Sequence, residues 1–405
     1  MSTSYPPRIP RREARLAALA PVPTPACDLS VVFPCRNEAS AVGMCVLDAR
    51  ARLGAAGIDG EVIVCDNGST DESPTCAHDA GAVLVEEERP GYGRALIAGI
   101  NAARGKYVIM ADADGSYDLG AVEPMIQALD AGADLVMGNR FQGTIAPGAM
   151  PWTHRHIGSP LFSALINLFF GTSIGDVHCG MRAFTREAYQ RMALQTTGME
   201  FASEMVARAA RIKLKIAEVP VDYHPRSGES KLRRYRDGWR HLRFLLMYSP
   251  TWLYMIPAAI LSALGLALLI ALSFATVTIF RQWDMHLSAV ASLLTVLGIQ
   301  IAWLGISART LSMIHGFDPV DPFLAWFYKR FTLETGLVAG LVMFVAGAGL
   351  MVMVLWRWVS HGFGTLNEIR PLLLAVTLIM VAVQCAFNAF FLSLLGIETR
   401  AVHPT

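Results

Sequence analysis

Tyr107–Asp118 reads YVIMADADGSYD. Five residues of strand character, Tyr107 to Ala111, lead directly into two carboxylates, Asp112 and Asp114, separated by one small residue. A short apolar run bounded by turn residues is the pattern of a buried parallel strand. Acids placed where such a strand stops lie at its carboxyl edge, where open α/β sheets bind ligands. Carboxylates this near repel each other unless a cation sits between them, and a divalent ion that also holds a diphosphate answers that need. A solvated acidic loop is the alternative for an Asp-x-Asp taken alone, so the surroundings decide.

The same grammar repeats on both sides. LSVVFP (Leu29–Pro34) stops at a proline and is followed by CRNEAS and a helix-compatible segment to about Leu53. EVIVCDNGSTDES carries a strand that ends on Asp66, with Ser69 or Thr70 able to cap the next helix. A third strand, Ala82–Glu86, precedes RPGYGRALIAGINAARG, where Gly91 and Gly93 make a tight loop into a helix. Beyond the opening stretch come a helical pattern over Leu119–Ala131 and a strand, DLVMGNR, ending at Arg140. This alternation predicts an α/β, Rossmann-like, mostly parallel sheet, with Glu38, Asp66, Gly91 and Asp114 facing one crevice. A helix-terminal charge, a cap or a turn explains each of these singly; four strands each ending in a polar loop favour a shared site.

The 405 residues are 53% hydrophobic, and the surplus is concentrated in the second half. Trp252–Phe280, Leu287–Ala308, Thr335–Trp356 and Leu372–Ile397 contain no Asp, Glu, Lys or Arg, and each is long enough to cross a bilayer. A net charge of +1 gives no sign of a nucleic-acid binder. Local charge says more: Arg226, Lys231, Arg233, Arg234, Arg236, Arg240 and Arg243 precede the first apolar stretch, against only Glu229 and Asp237. Such a cluster favours the cytoplasmic side and anionic headgroups, which places the N-terminal half, the middle loop and both termini in the cytoplasm. The seven cysteines contain no C-x-x-C pair and read as reduced, mostly buried thiols.

The expected organisation is therefore a disordered or membrane-surface arm (1–26), a catalytic α/β domain (27–235), an interfacial amphipathic helix (236–251) and an all-α domain of four transmembrane helices (252–400). A second interfacial piece is expected at Phe323–Phe331, and Gln384 and Asn388 in the last span read as helix-to-helix hydrogen bonds.

PCRNE (Pro34–Glu38), DNGSTD (Asp66–Asp71), GYGRA (Gly91–Ala95) and DAD (Asp112–Asp114) resemble the GT-A type nucleotide-sugar glycosyltransferases of family 2. The resemblance is to the branch that includes dolichyl-phosphate mannose and glucose synthases and bacterial polyprenyl-phosphate enzymes. It continues through GNR (Gly138–Arg140), DVHCGMR (Asp176–Arg182) and RSGESKL (Arg226–Leu232).

The resemblance implies a UDP- or GDP-sugar donor, a polyprenyl phosphate acceptor held in the bilayer, and Mg²⁺ or Mn²⁺ as cofactor. It implies a nucleotide site of Pro34, Arg36, Glu38, Asp66, Asp112 and Ala113, with Asp66 on the base. Asp114 would bind the metal. Several relatives carry a glutamine two residues later as a further ligand, and here Ser116 stands at that place. Asp112, Asp114 and Arg226 are the implied catalytic residues, Arg226 lying in a loop that closes over the diphosphate. Arg140, Arg155, Ser159 and Lys231 would hold the lipid phosphate, Arg155 and Ser159 being four apart on one helical face. Asp176 and Glu204 are candidate orienting groups, and homo-oligomers through the spans are open. A processive polysaccharide synthase also joins such a domain to several spans, but its Q-x-x-R-W motif is absent. An inactive sugar-binding scaffold is disfavoured by the intact acids and Arg226.

Overall fold

A computed structural model describes residues 25–228, 234–274, 284–314, 322–363 and 368–395. The expected arm, up to residue 24, and Lys231 lie outside them. The chain divides between Tyr248 and Ser249 into two units.

Strands β1 (Cys27–Cys35), β2 (Gly60–Asp66), β3 (Val83–Glu86), β4 (Gly105–Met110), β5 (Leu135–Asn139), β6 (Arg182–Thr185) and β7 (Ile216–Pro220) form one sheet in the order β3-β2-β1-β4-β6-β5-β7. β1 is parallel to β2 and β4, in a register that sets Cys35 beside Asp66, and β5 is parallel to β7. β6 is antiparallel to both β4 and β5. The carboxyl ends of β1, β2, β4 and β5 therefore share one edge, and the reversed β6 starts on it, with Arg182 opposite Met110.

Helices α1 (Val42–Ala55), α2 (Ser73–Asp79), α3 (Tyr92–Ala102), α4 (Val122–Asp130), α5 (Ser159–Phe170), α6 (Arg186–Met192), α7 (Phe201–Arg211) and α8 (Arg234–Met247) belong to the same unit. Alternate residues of each strand enter opposite layers. Val31, Phe33, Val64 and Ile109 pack with Val42 and Val46 of α1 and Met125 of α4. Val32, Ile63, Val108 and Met110 pack with Leu96 of α3 and Met205 of α7. Burial of both faces is why these strands read as unbroken apolar runs.

The second unit contains α9 (Ile256–Phe274), α10 (Asp284–Ile314), α11 (Pro322–Arg330), α12 (Leu333–Ser360) and α13 (Ile369–Leu395). Four described segments are long and apolar enough to cross a membrane: Thr251–Leu272, Met285–Ile314, Leu333–Ser360 and Ile369–Leu395. Small residues let α12 and α13 approach closely: a Cβ added at Gly336 would lie 2.6 Å from the Cβ of Ala389. Ser292 and Thr377 join α10 to α13 by a 2.6 Å hydroxyl pair. Asn388 differs from expectation. Its amide donates to the Gln384 carbonyl of its own helix at 2.8 Å, not to a neighbouring helix.

Candidate active site

The loops after β1, β2 and β4 open onto a cleft of about 300 Å³. It is lined by Pro34, Arg36, Glu38, Gly91, Asp112, Ala113, Asp114 and Arg226, which were expected there, and by Asn67, Tyr92 and Met199, which were not. Arg226 is 188 residues from Glu38, and backbone pairing brings it in. The Ser227 amide donates to the Asp114 carbonyl at 2.9 Å and the His224 amide to the Ser116 carbonyl at 2.8 Å. The segment after β7 thus lies along the acidic loop. Arg226 Nη2 stands 3.3 Å from Asp114 Oδ2 and 3.4 Å from Glu38 Oε1.

Asp112 accepts the Tyr92 hydroxyl on Oδ1 at 3.0 Å. Burial, and secondarily the Asp114 charge, push its pKa up to about 6. The two acids form a pocket of negative charge in which ionisation of the second is resisted, as a site for a divalent cation requires. No group of three or more His, Cys, Asp or Glu side chains able to hold a metal occurs among the described residues. A cation here would therefore take its remaining ligands from substrate oxygens or water. Ser116 is 1% exposed, and its hydroxyl and its amide both donate to Asp114 Oδ1. In this geometry the hydroxyl holds the carboxylate in place.

The pKa of Asp112 has a measurable consequence. Because the folded value is raised, its contribution to stability is fully present below about pH 4 and is lost as pH rises through about 6. In EDTA the melting midpoint should accordingly carry a fall between pH 5 and pH 7. Added Mn²⁺ should raise the midpoint more at pH 7 than at pH 5, where protons compete for the site. Equal metal shifts at both pH values would separate Asp112 from cation binding.

Asp66 is 8% exposed; its Oδ2 accepts the Ser69 amide at 3.1 Å, and its buried Oδ1 has no hydrogen-bond partner among the described residues. Asn67 shapes the neighbouring loop, donating to the carbonyls of Glu87 and Arg89 at 2.8 and 2.9 Å and accepting the Gly91 amide at 2.6 Å. These partners lie 20 to 24 residues away, so Asn67 reads in sequence as a mere turn residue.

Arg140, expected at a lipid phosphate, is 7% exposed and clasps the fully buried Asp176. The Nε and Nη2 contacts are 2.7 and 2.9 Å, and Asp176 also accepts the Arg140 amide at 3.2 Å. Two guanidinium donors are thereby taken. Asp176→Asn should strip the charge from a buried pair and destabilise the domain by about 3 kcal/mol or more, read as a lower melting midpoint in detergent. An unchanged midpoint would contradict this.

Arg155 is exposed, in a π-helical turn (His154–Gly158), whereas Ser159 is buried at the start of α5. The two side chains therefore end in different environments, and neither is among the residues lining the cleft. Glu204 is wholly buried in α7, also away from that lining. Two further residues at the edge were not anticipated. Arg182 is fully buried and donates to the carbonyls of Cys179, Val177 and Ala202, fixing the turn before β6 against α7. His178, its pKa pushed down to about 3 by burial and by His241, stays neutral at physiological pH.

An acidic cleft at a mostly parallel sheet edge, on a chain with four membrane-length helices, is the architecture of a membrane-attached GT-A transferase. Residues 30–192 match glycosyl transferase family 2, and residues 306–396 match the glycosyltransferase family 2 C-terminal transmembrane region. The chain is 38% identical over 374 residues to the low-salt glycan biosynthesis hexosyltransferase Agl6 of Haloferax volcanii, covering 91% of this chain and 89% of that protein. It is 33% identical over 213 residues to a dolichyl-phosphate hexose transferase of the same organism, covering 52% and 89%. Among solved structures, glucosyl-3-phosphoglycerate synthase from Mycobacterium tuberculosis is 24% identical, covers 55% of this chain and 79% of its own, and superposes with a TM-score of 0.43. The chain belongs to glycosyltransferase family 2 and is a membrane protein.

Proposed function

We propose that the enzyme transfers a sugar from a UDP- or GDP-sugar to a polyprenyl phosphate on the cytoplasmic face, inverting the anomeric centre. The observation that carries this reading is the opposition of Asp114 and Arg226 at 3.3 Å across one cleft. One group suits a cation, the other a diphosphate. Support for the acceptor comes from the four spans and from relatives whose names specify dolichyl phosphate and undecaprenyl phosphate.

In this reading the unpartnered Asp66 Oδ1 accepts an N–H of the nucleobase, which both uracil and guanine offer. Pro34, Arg36, Glu38 and Ala113 enclose the nucleoside. Asp114 and Asp112 hold Mg²⁺ or Mn²⁺ together with the donor diphosphate, and Ser116 keeps the Asp114 carboxylate oriented. The cation, when bound, neutralises charge that develops on the departing nucleoside diphosphate. Arg226 adds a bidentate donor to the same oxygens.

The nucleophile is a phosphate oxygen of the acceptor. A phosphate monoester has its second pKa near 6, so it is already ionised at neutral pH and needs no general base. Arg155, Ser159 and Lys231 orient it, and the Arg140–Asp176 pair braces the wall on that side. The domain boundaries at about 27, 235 and 252 then divide catalysis from membrane retention, with the basic cluster keeping the catalytic domain cytoplasmic.

The donor half is tested by thermal shift with UDP and GDP, each with and without Mn²⁺. One nucleotide should raise the midpoint by several degrees, and only with metal. No shift with either would remove the nucleotide site. Orientation is tested in sealed vesicles: donor supplied outside should be used by inverted vesicles and ignored by right-side-out ones, and the reverse result would invert the topology.

A further inference from the structure

Glu204 lies on α7, and its carboxylate is fully engaged. Oε2 accepts the amides of Gln195 and Thr196 at 3.0 and 2.8 Å and the Thr196 hydroxyl at 2.7 Å. Oε1 accepts the Tyr248 hydroxyl at 3.1 Å and lies 3.5 Å from Arg208 Nε. The side chain is wholly buried and is not among the residues lining the cleft, so it does not reach the donor site directly. Glu204 therefore acts on the reaction only through what it holds.

What it holds has two ends. At one end Tyr248 directly follows α8, the helix that runs in sequence into the first span, which starts at Thr251. α8 is fixed to α7 by the fully buried Leu245 and by a 3.0 Å contact between His241 Nδ1 and the Ser203 hydroxyl. Tyr248 stacks on Phe244, with ring centroids 4.2 Å apart. At the other end is the irregular loop 193–200, which reaches the cleft through Met199.

That loop presses directly on the donor side. The Thr197 carbonyl accepts the Arg94 amide at 3.3 Å. A Cβ at Gly91 would come within 2.4 Å of the Thr197 carbonyl oxygen, and one at Gly93 within 2.5 Å of that of Thr196. Gly91 has φ +154°, and Tyr92 between the two glycines donates to Asp112. No side chain intervenes, so a displacement of Thr196 and Thr197 moves Tyr92 and with it the partner of Asp112.

We propose that Glu204 is a positioning residue that transmits the placement of the pre-membrane helix α8, through Tyr248, to the donor-side wall formed by residues 194–200 and 91–94. This rests on the donor reading of the cleft given above. Its physical content is a continuous run of hydrogen bonds from Tyr248 to Asp112, broken only by backbone packed against backbone.

Tyr248→Phe tests it on the full chain in detergent, since the ring packing stays and every Glu204 bond to the loop stays. Hydrogen exchange at the amides of Gln195, Thr196 and Arg94 should quicken about three- to tenfold, with β1, β4 and α4 unchanged. Affinity for UDP or GDP with Mn²⁺, whichever binds the parent more tightly by calorimetry, should weaken about three- to tenfold. Unchanged exchange at 195 and 196 would overturn the proposal, as would faster exchange spread evenly over the domain. Faster local exchange with unaltered nucleotide affinity would reduce Glu204 to a structural tie. If the parent binds neither nucleotide, the donor reading fails, while the exchange measurement still decides whether the Tyr248–Glu204 link acts on the loop.

Discussion

Asp114→Ala is expected to lower the sugar-transfer rate by at least about a hundredfold while leaving the protein folded. The carboxylate faces Arg226 in the cleft, and in the proposed reading it would hold the cation against the donor diphosphate. Without it the leaving group would, in that reading, depart with its charge uncompensated. The fold should tolerate the change, because the Ser227 amide bonds to the backbone carbonyl of residue 114, which the substitution preserves. The Ser116 hydroxyl loses its acceptor, a cost of about 1 kcal/mol. Initial rates at saturating donor and metal, with the melting midpoint as control, make the measurement. A rate within threefold of the parent would remove Asp114 from the metal site.

Arg226→Ala should cost about a hundredfold in kcat/KM for the donor, and Arg226→Lys about tenfold. Lysine keeps the charge but not the planar fork that would engage two diphosphate oxygens. In the structure Arg226 already bridges Glu38 and Asp114, so it is held at the cleft before substrate enters. In the proposed reading Arg226 would exchange its contact with Asp114 for the donor diphosphate. The loss should consequently appear on the donor side, with the KM for lipid phosphate little changed. A loss confined to the acceptor KM would place Arg226 at the other substrate.

Much of this site is legible in the sequence because its residues sit where strands stop. Pro34, Asp66 and Asp112 each lie within two residues of the end of a buried strand, and period and punctuation reveal such places without tertiary information. The four spans were visible for the same kind of reason: length and absence of charge suffice. The features that stayed hidden depend on contacts between distant segments. β6 is four residues long, too short for a pattern, and its antiparallel direction follows from the sheet it joins. Asn67 and Tyr92 have ordinary local contexts with partners 20 residues away, and Glu204, a candidate orienting group in the sequence, gave no sign of its tie to Tyr248 44 residues on. Arg140 shows what strand position leaves out: a basic residue at the end of a strand clasps a buried carboxylate 36 residues on, a partner that no local pattern indicates.

The most direct test of the central claim is transfer itself. Purified full-length protein in detergent, given radiolabelled UDP- or GDP-sugars, undecaprenyl or dolichyl phosphate and Mn²⁺ or Mg²⁺, should produce a labelled lipid extractable into organic solvent. EDTA should abolish the product, and the free polyprenol should not replace its phosphate. Label that remained water-soluble with every donor, or that entered a growing polysaccharide instead of the lipid, would contradict the account.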